Sequence, residues 1–327
     1  MYKTAHPKRS NWLESGLEGV ENIDDLGWNY EDFTFQGYDN VTLKGWIVKA
    51  SKSPSGATPT STFILIHGHK KNKIQMLGRG KLLHDLGYNL VFIDFRHHGD
   101  SEDGKFGLGY FGKFDLQKLV KKIQDSIFPA SWIGVFGISL GATTALATEA
   151  DFHCLDCIIA DSPSSNQTAT LCEYARRLYY APYFMTKAGL YIMEKLYKMD
   201  FSRLNIPQMN KLTAENNQIK QNSQIKQNGP IEQNDHKCRI LILHGKEDNR
   251  VPFYHAKLLF DSFSSLTNAD IQTNADIQTN ADNHTNEVNM AENPDIKLIT
   301  FNDSNHVQGY MHERERYDKA VTEFLCS

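Results

Sequence analysis

No stretch of this chain stays apolar for as many as 18 residues, so the sequence offers no membrane-spanning helix. The N-terminus, MYKTAHPKRSNWLESG, lacks the apolar core and the small-residue cleavage site of a secretory signal. Cysteine is sparse and odd in number. The five stand at 154, 157, 172, 238 and 326, a pattern that fits no small disulfide framework. Reduced thiols in a cytoplasmic protein are the expectation. Cys154-Leu155-Asp156-Cys157 has no second C-x-x-C or histidine pair at zinc spacing, and His67, His69, His97 and His98 lack partner acids, so no metal is expected. No glycine-rich phosphate cradle follows a strand, which leaves no nucleotide cofactor and no cofactor of another kind to expect. Charge of one sign is also missing. A net charge of −4 and a pI near 6.3 give no general attraction to nucleic acid or to an anionic membrane. The one basic cluster, Lys70-Lys71-Asn72-Lys73, reads as a solvated loop.

What the chain does have is apolar residue in quantity, 40% of 327, arranged in a repeating rhythm. Residues 1–30 read as a short helical N-terminal arm. Phe33-Thr34-Phe35 and Val41–Val48 alternate around Gly37-Tyr38-Asp39-Asn40 and predict an antiparallel hairpin, and 51–60 reads as a loop. From Thr62 on, largely apolar runs alternate with helical patterns. The runs are Phe63–Ile66, Leu90–Ile93, Ile133–Ile138, Cys157–Ala160, Ile240–Leu243 and Ile296–Phe301; a helix is predicted over Phe114–Phe128 and a final one over Glu313–Cys326. Such runs separated by helices mean parallel strands covered on both faces. The fold class is therefore α/β: a mostly parallel central sheet with helices on both faces, led by the hairpin.

Two segments interrupt the rhythm. Residues 164–235 form an insertion between core segments 31–163 and 236–327, with helices predicted at 166–181 and 187–199. It falls at the carboxyl edge of the strands, where α/β sheets bind ligands, so it reads as a lid whose Tyr179, Tyr183 and Tyr191 meet substrate. Its tail, 216–235, repeats Gln-Ile-Lys-Gln-Asn, and a second hexad array, Thr-Asn-Ala-Asp-Ile-Gln, occupies 265–292. Hexads with one aliphatic each cannot build a solenoid core, so both arrays read as surface loops.

The chemistry centres on Ser131–Gly141, SWIGVFGISLG, which places Gly137-Ile138-Ser139-Leu140-Gly141 between an apolar strand and the small-residue helix that follows. The pentapeptide recurs by chance; the strand before it and the helix after it make it a nucleophile elbow. Its glycines admit a strained turn, because a Cβ two residues from the serine would collide with strand or helix. A serine nucleophile needs a base, and the base needs an orienting acid. Asp248 follows one later strand and His306 follows the last, on the same sheet edge as Ser139. They are 58 residues apart, where one helix and one strand need roughly 30. The array at 265–292 takes up the excess. Asp161, at another strand end, is the rival acid, and Glu247 a weaker one. An oxyanion would be met by the backbone N–H of Leu140, at a helix N-terminus, and by that of His69, in the turn after Phe63–Ile66.

With these pieces in place the sequence resembles the α/β-hydrolase superfamily, in its esterase, acyl-hydrolase and serine-aminopeptidase-like branch. The resemblance covers about residues 30–165 and 236–327. It rests on His67-Gly68, Asp94-Phe95-Arg96-His97-His98-Gly99-Asp100-Ser101, Gly137–Gly141, His244-Gly245 through Asp248-Val251-Pro252, and His306. His97 stands where the family usually has glycine. The resemblance implies Ser139 as nucleophile, His306 as base and Asp248 as its partner, and does not fix the substrate. The expected substrate is a small-molecule carboxylic ester with a small or medium acyl group, because the insertion is rich in Tyr, Met and Leu and poor in paired charges. A peptidase or amidase with the same triad stays open. So does a thioesterase using Lys70, Lys71, Lys73, Arg176 and Arg177 at the mouth, and so does a non-catalytic binding protein.

Overall fold

The computed structural model describes residues 15–50, 61–129, 131–214, 237–268 and 295–327. Residues 1–14 of the predicted arm, the loop at 51–60, the tail at 216–235 and most of the array at 265–292 lie outside these. Eight strands form one sheet in the order β1-β2-β4-β3-β5-β6-β7-β8. They are β1 Tyr30–Gln36, β2 Thr42–Val48, β3 Ser61–Ile66, β4 Asn89–Ile93, β5 Trp132–Ile138, β6 Cys157–Asp161, β7 Arg239–Gly245 and β8 Ile296–Phe301. The β1–β2 and β2–β4 pairings are antiparallel, and every other pairing is parallel.

The helices include α1 Leu77–Asp85, α2 Tyr110–Lys122, α3 Leu140–Phe152, α4 Gln167–Tyr179, α5 Tyr183–Tyr197, α6 Tyr254–Asn268 and α7 Arg314–Cys326. Successive residues of a strand face opposite ways. Ile64 and Ile66 of β3 accordingly join a core with Leu119 of α2, Leu146 of α3 and Leu259 of α6. Phe63 and Leu65 join a second with Leu83 of α1 and Tyr317 and Phe324 of α7. Both faces are covered, which is why these strands read as unbroken apolar runs rather than as alternation.

Two local expectations need correction, and a third falls largely outside the described residues. The helix expected over Phe114–Phe128 begins at Tyr110 and gives way to a π-helical turn over Ile123–Ile127. Of the N-terminal arm, residues 15–29 are described: Ser15 is helical, a 3-10 turn runs over Asp24–Leu26, and buried Val20 and Ile23 anchor the segment. Lys73 is not solvated: its Nζ lies 2.6 Å from Asp94 Oδ2 and 2.6 Å from Asp100 Oδ2, with the Asp94 side chain fully buried.

Candidate active site

Ser139 stands alone between β5 and α3, with φ 51° and ψ −110°. That region is costly for a residue with a side chain and survives only where the surroundings over-determine it. Here both flanking glycines are required. A Cβ on Gly137 would sit 2.5 Å from the Ala142 nitrogen, and one on Gly141 would sit 2.4 Å from the Ile66 carbonyl oxygen. The turn is pinned further by the Ser139 N–H, which donates to the Asp161 carbonyl at 2.7 Å, and by the Thr143 N–H, which donates to the Ser139 carbonyl at 2.9 Å.

Asp248 lies in the turn after β7. Its Oδ1 accepts from the N–H groups of Arg250 (2.9 Å) and Val251 (2.8 Å), which leaves Oδ2 to face His306. The loop after β8 carries His306. Its Nδ1 is 2.7 Å from Asp248 Oδ2, and its Nε2 is 2.9 Å from Ser139 Oγ. An imidazole that donates from Nδ1 presents Nε2 as an acceptor, so the serine hydroxyl donates to it. Burial alone would raise the Asp248 carboxyl. The hydrogen bond and charge of His306 and the Val251 N–H together outweigh that and hold it below the ordinary carboxylate value of 3.8. The two loops are in close contact, since a Cβ on Gly245 would come 2.1 Å from the Ser304 carbonyl oxygen.

The rival acids are elsewhere. Asp161 Oδ2 is held by Arg79 at 2.9 Å and by the Tyr317 hydroxyl at 2.8 Å, and Glu247 is exposed. The turn after β3 adjoins the serine: the Cβ position of Gly68 is 3.6 Å from Ser139 Cβ. Gly68 is fixed there by its N–H to Gln75 Oε1 (2.8 Å) and by its carbonyl, which is 2.7 Å from Nδ1 of buried His67. His69 follows as an exposed residue. Among the described residues no backbone carbonyl accepts from the N–H of His69 or of Leu140. His97, at the position where glycine is usual, has φ 64°, the left-handed conformation glycine would take there.

No family model matches the chain. It is 34% identical over 131 residues to the uncharacterized protein YqkD of Bacillus subtilis (strain 168), a match that covers 38% of this chain. The match spans about two fifths of that relative's length, 40%. Among solved structures, the esterase Pf2001 of Pyrococcus furiosus superimposes with a TM-score of 0.64 at 21% identity, over 98% of both chains. The chain has the α/β-hydrolase fold. An acylaminoacyl peptidase of Pyrococcus horikoshii shares it, with a TM-score of 0.58 at 14% identity over 91% of this chain and 41% of that one.

Within this α/β-hydrolase fold the insertion departs from expectation. Its helices run over Gln167–Tyr179 and Tyr183–Tyr197, the second starting four residues before the predicted 187. Tyr179, Tyr183 and Tyr191 are all exposed, and no hydrogen bond or ring contact among the described residues joins them to Ser139, Asp248 or His306. Of the basic residues placed at a mouth, Arg176, Arg177 and Lys70 are exposed, and buried Lys73 is withdrawn. Two contacts had no signal in the sequence. Ser162 Oγ accepts from the Val307 N–H at 3.1 Å, beside His306, while Val307 itself is held at φ 63°. Buried His255 of α6 meets Ser165 Oγ through Nδ1 at 2.7 Å and Thr170 Oγ1 through Nε2 at 3.2 Å, which ties the foot of the insertion to the core.

Proposed function

We propose that the chain is a serine hydrolase that cleaves a carboxylic ester of a small or medium acyl group. The observation that carries this reading is the continuous path from Ser139 Oγ through the His306 imidazole to Asp248, at 2.9 and 2.7 Å. Ser139 attacks the acyl carbonyl while its proton passes to His306 Nε2, and Asp248 holds the tautomer and stabilises the imidazolium. The oxyanion is met by the N–H groups of Leu140 and His69. His306 then returns the proton to the departing alcohol, and a water activated by the same imidazole hydrolyses the acyl-enzyme. The ester is favoured because the aligned fold is that of a protein named an esterase over nearly its whole length, whereas the peptidase match covers 41% of that protein. Removing Lys73 from the mouth weakens the thioesterase alternative.

A fluorophosphonate probe tests the nucleophile: wild type is labelled and Ser139→Ala is not. Absence of labelling on wild type leaves the fold with a binding role instead. Nitrophenyl esters of graded chain length, run against aminoacyl nitroanilides, test the substrate. Esters are expected to turn over faster by at least roughly tenfold, about 1.4 kcal/mol in the barrier.

A further inference from the structure

We propose that the α4–α5 hairpin docks on the surface of an anionic phospholipid bilayer. The inference is independent of the triad. Burial on α4 is confined to its first half, at Gln167, Thr170 and Cys172, and on α5 to Leu190. Between them, Leu178, Tyr179, Tyr180, Tyr183, Phe184 and Met185 face solvent, with Tyr179 at 73%, Tyr180 at 88% and Phe184 at 71% exposure. Apolar side chains gathered on one tip mark an interaction surface, unlike apolar residues scattered singly.

Charge decides what the surface fits. The segment 167–198 holds five cations, Arg176, Arg177, Lys187, Lys195 and Lys198, and two carboxylates, in a chain whose net charge is −4. All five cations are exposed. Both carboxylates are engaged on the protein side: Glu173 accepts from the Tyr254 hydroxyl, and Glu194 from the Phe201 N–H at 2.7 Å. A second copy of the chain docked about a twofold axis would set this cationic patch against itself, because a twofold interface uses the same surface on both sides. Single-stranded nucleic acid would satisfy the cations and the tyrosines but gives no use for Leu178, Met185, Ile192 and Leu196, all exposed. A bilayer satisfies every group. Phosphate headgroups meet Arg and Lys, tyrosine rings sit at headgroup level with the hydroxyl wet, and Leu, Met and Phe enter the acyl boundary.

The experiment sediments the full chain with vesicles of phosphatidylglycerol and phosphatidylcholine, and in parallel with phosphatidylcholine alone. Binding to the anionic vesicles is expected to exceed that to the neutral ones by at least roughly tenfold and to weaken as salt rises from about 0.05 to about 0.5 M. The pair Arg176→Glu, Arg177→Glu and the pair Tyr180→Ser, Phe184→Ser should each cut binding by roughly tenfold or more. Lys319→Glu on α7 should leave it unchanged, and thermal unfolding checks that each variant is folded. The proposal is overturned by equal partition onto neutral vesicles, by no sedimentation of wild type, or by unaltered binding of both hairpin pairs. Hairpin-dependent dimerisation, or capture of a single-stranded oligonucleotide, with vesicles left unbound, overturns it too.

Discussion

Ser139 and Asp248 represent two different uses of a single residue. Asp248 is a hydrogen-bond acceptor three times over, twice from its own turn and once from the imidazole. In Asp248→Asn one side-chain position becomes an N–H₂ donor, which cannot receive the proton on His306 Nδ1, so the tautomer that accepts from Ser139 is lost. A fall in kcat of about 10³–10⁴-fold is expected with the fold retained, read by steady-state kinetics beside circular dichroism. Ser139 is held in its unfavourable backbone conformation by the groups packed round it. Ser139→Gly removes the Cβ that makes this conformation costly, at the loss of the hydroxyl proposed as nucleophile. That variant should be inactive yet more stable than wild type, by about 1–3 kcal/mol in a denaturant titration, whereas Ser139→Ala keeps the strain and should show no such gain.

Elements meet through contacts that lie far apart in the chain, and His255 is the clearest case. It accepts the Ser165 N–H on Nδ1 at 3.3 Å, so a proton there would set donor against donor at the foot of the insertion. Burial, reinforced by the charge of His244, pushes the His255 imidazole down to about 4. Above pH 6.5 folded and unfolded chains both carry it neutral, and its contribution is complete. Between pH 6.5 and about 4 the unfolded chain binds a proton that the folded chain refuses, so stability falls with falling pH, by up to about 1.4 kcal/mol per unit. His255→Asn should flatten that slope by as much as one proton in urea titrations run across this range. Contacts of this kind set the limit on what the sequence discloses. Strands β3 to β7 were legible because burial on both faces leaves unbroken apolar runs, and the half-buried edge strand β8 because it stays mostly apolar around Lys297 and Thr300. Ser139, Asp248 and His306 were legible because each follows such a run. Lys73 was not, because the Asp94 that neutralises it lies 21 positions away and a lysine beside two others looks solvated. The start of α2 was hidden by Gly107-Leu108-Gly109, where Leu108 takes φ 52° and breaks the helical pattern. The pairing of His255 with Ser165, 90 residues distant, has no local trace at all.

Taken whole, the molecule is joined across its sheet by a buried polar knot as well as by apolar packing. Arg79 of α1 reaches Asp161 at the end of β6, and Tyr317 of α7 donates to the same carboxylate. All three side chains are buried. Arg79→Met leaves Asp161 without its cation in a dry interior, and a loss of about 3–5 kcal/mol in unfolding free energy is expected. Adding Asp161→Asn removes the stranded carboxyl and should restore part of that loss, a coupling that a double-mutant cycle measures. Strand order carries a consequence in time. Ribosomes deliver β5 and β7 before β8, and chains fold from the N-terminal side as they emerge. Serine and aspartate can therefore be housed early, while the imidazole arrives only when β8 zips onto β7 at the rim. A nascent chain halted short of that strand lacks α7 as well, so the sheet face that Tyr317 and Phe324 cover stays bare and the Ser139 hydroxyl stays without its imidazole until the last parallel strand and helix are seated.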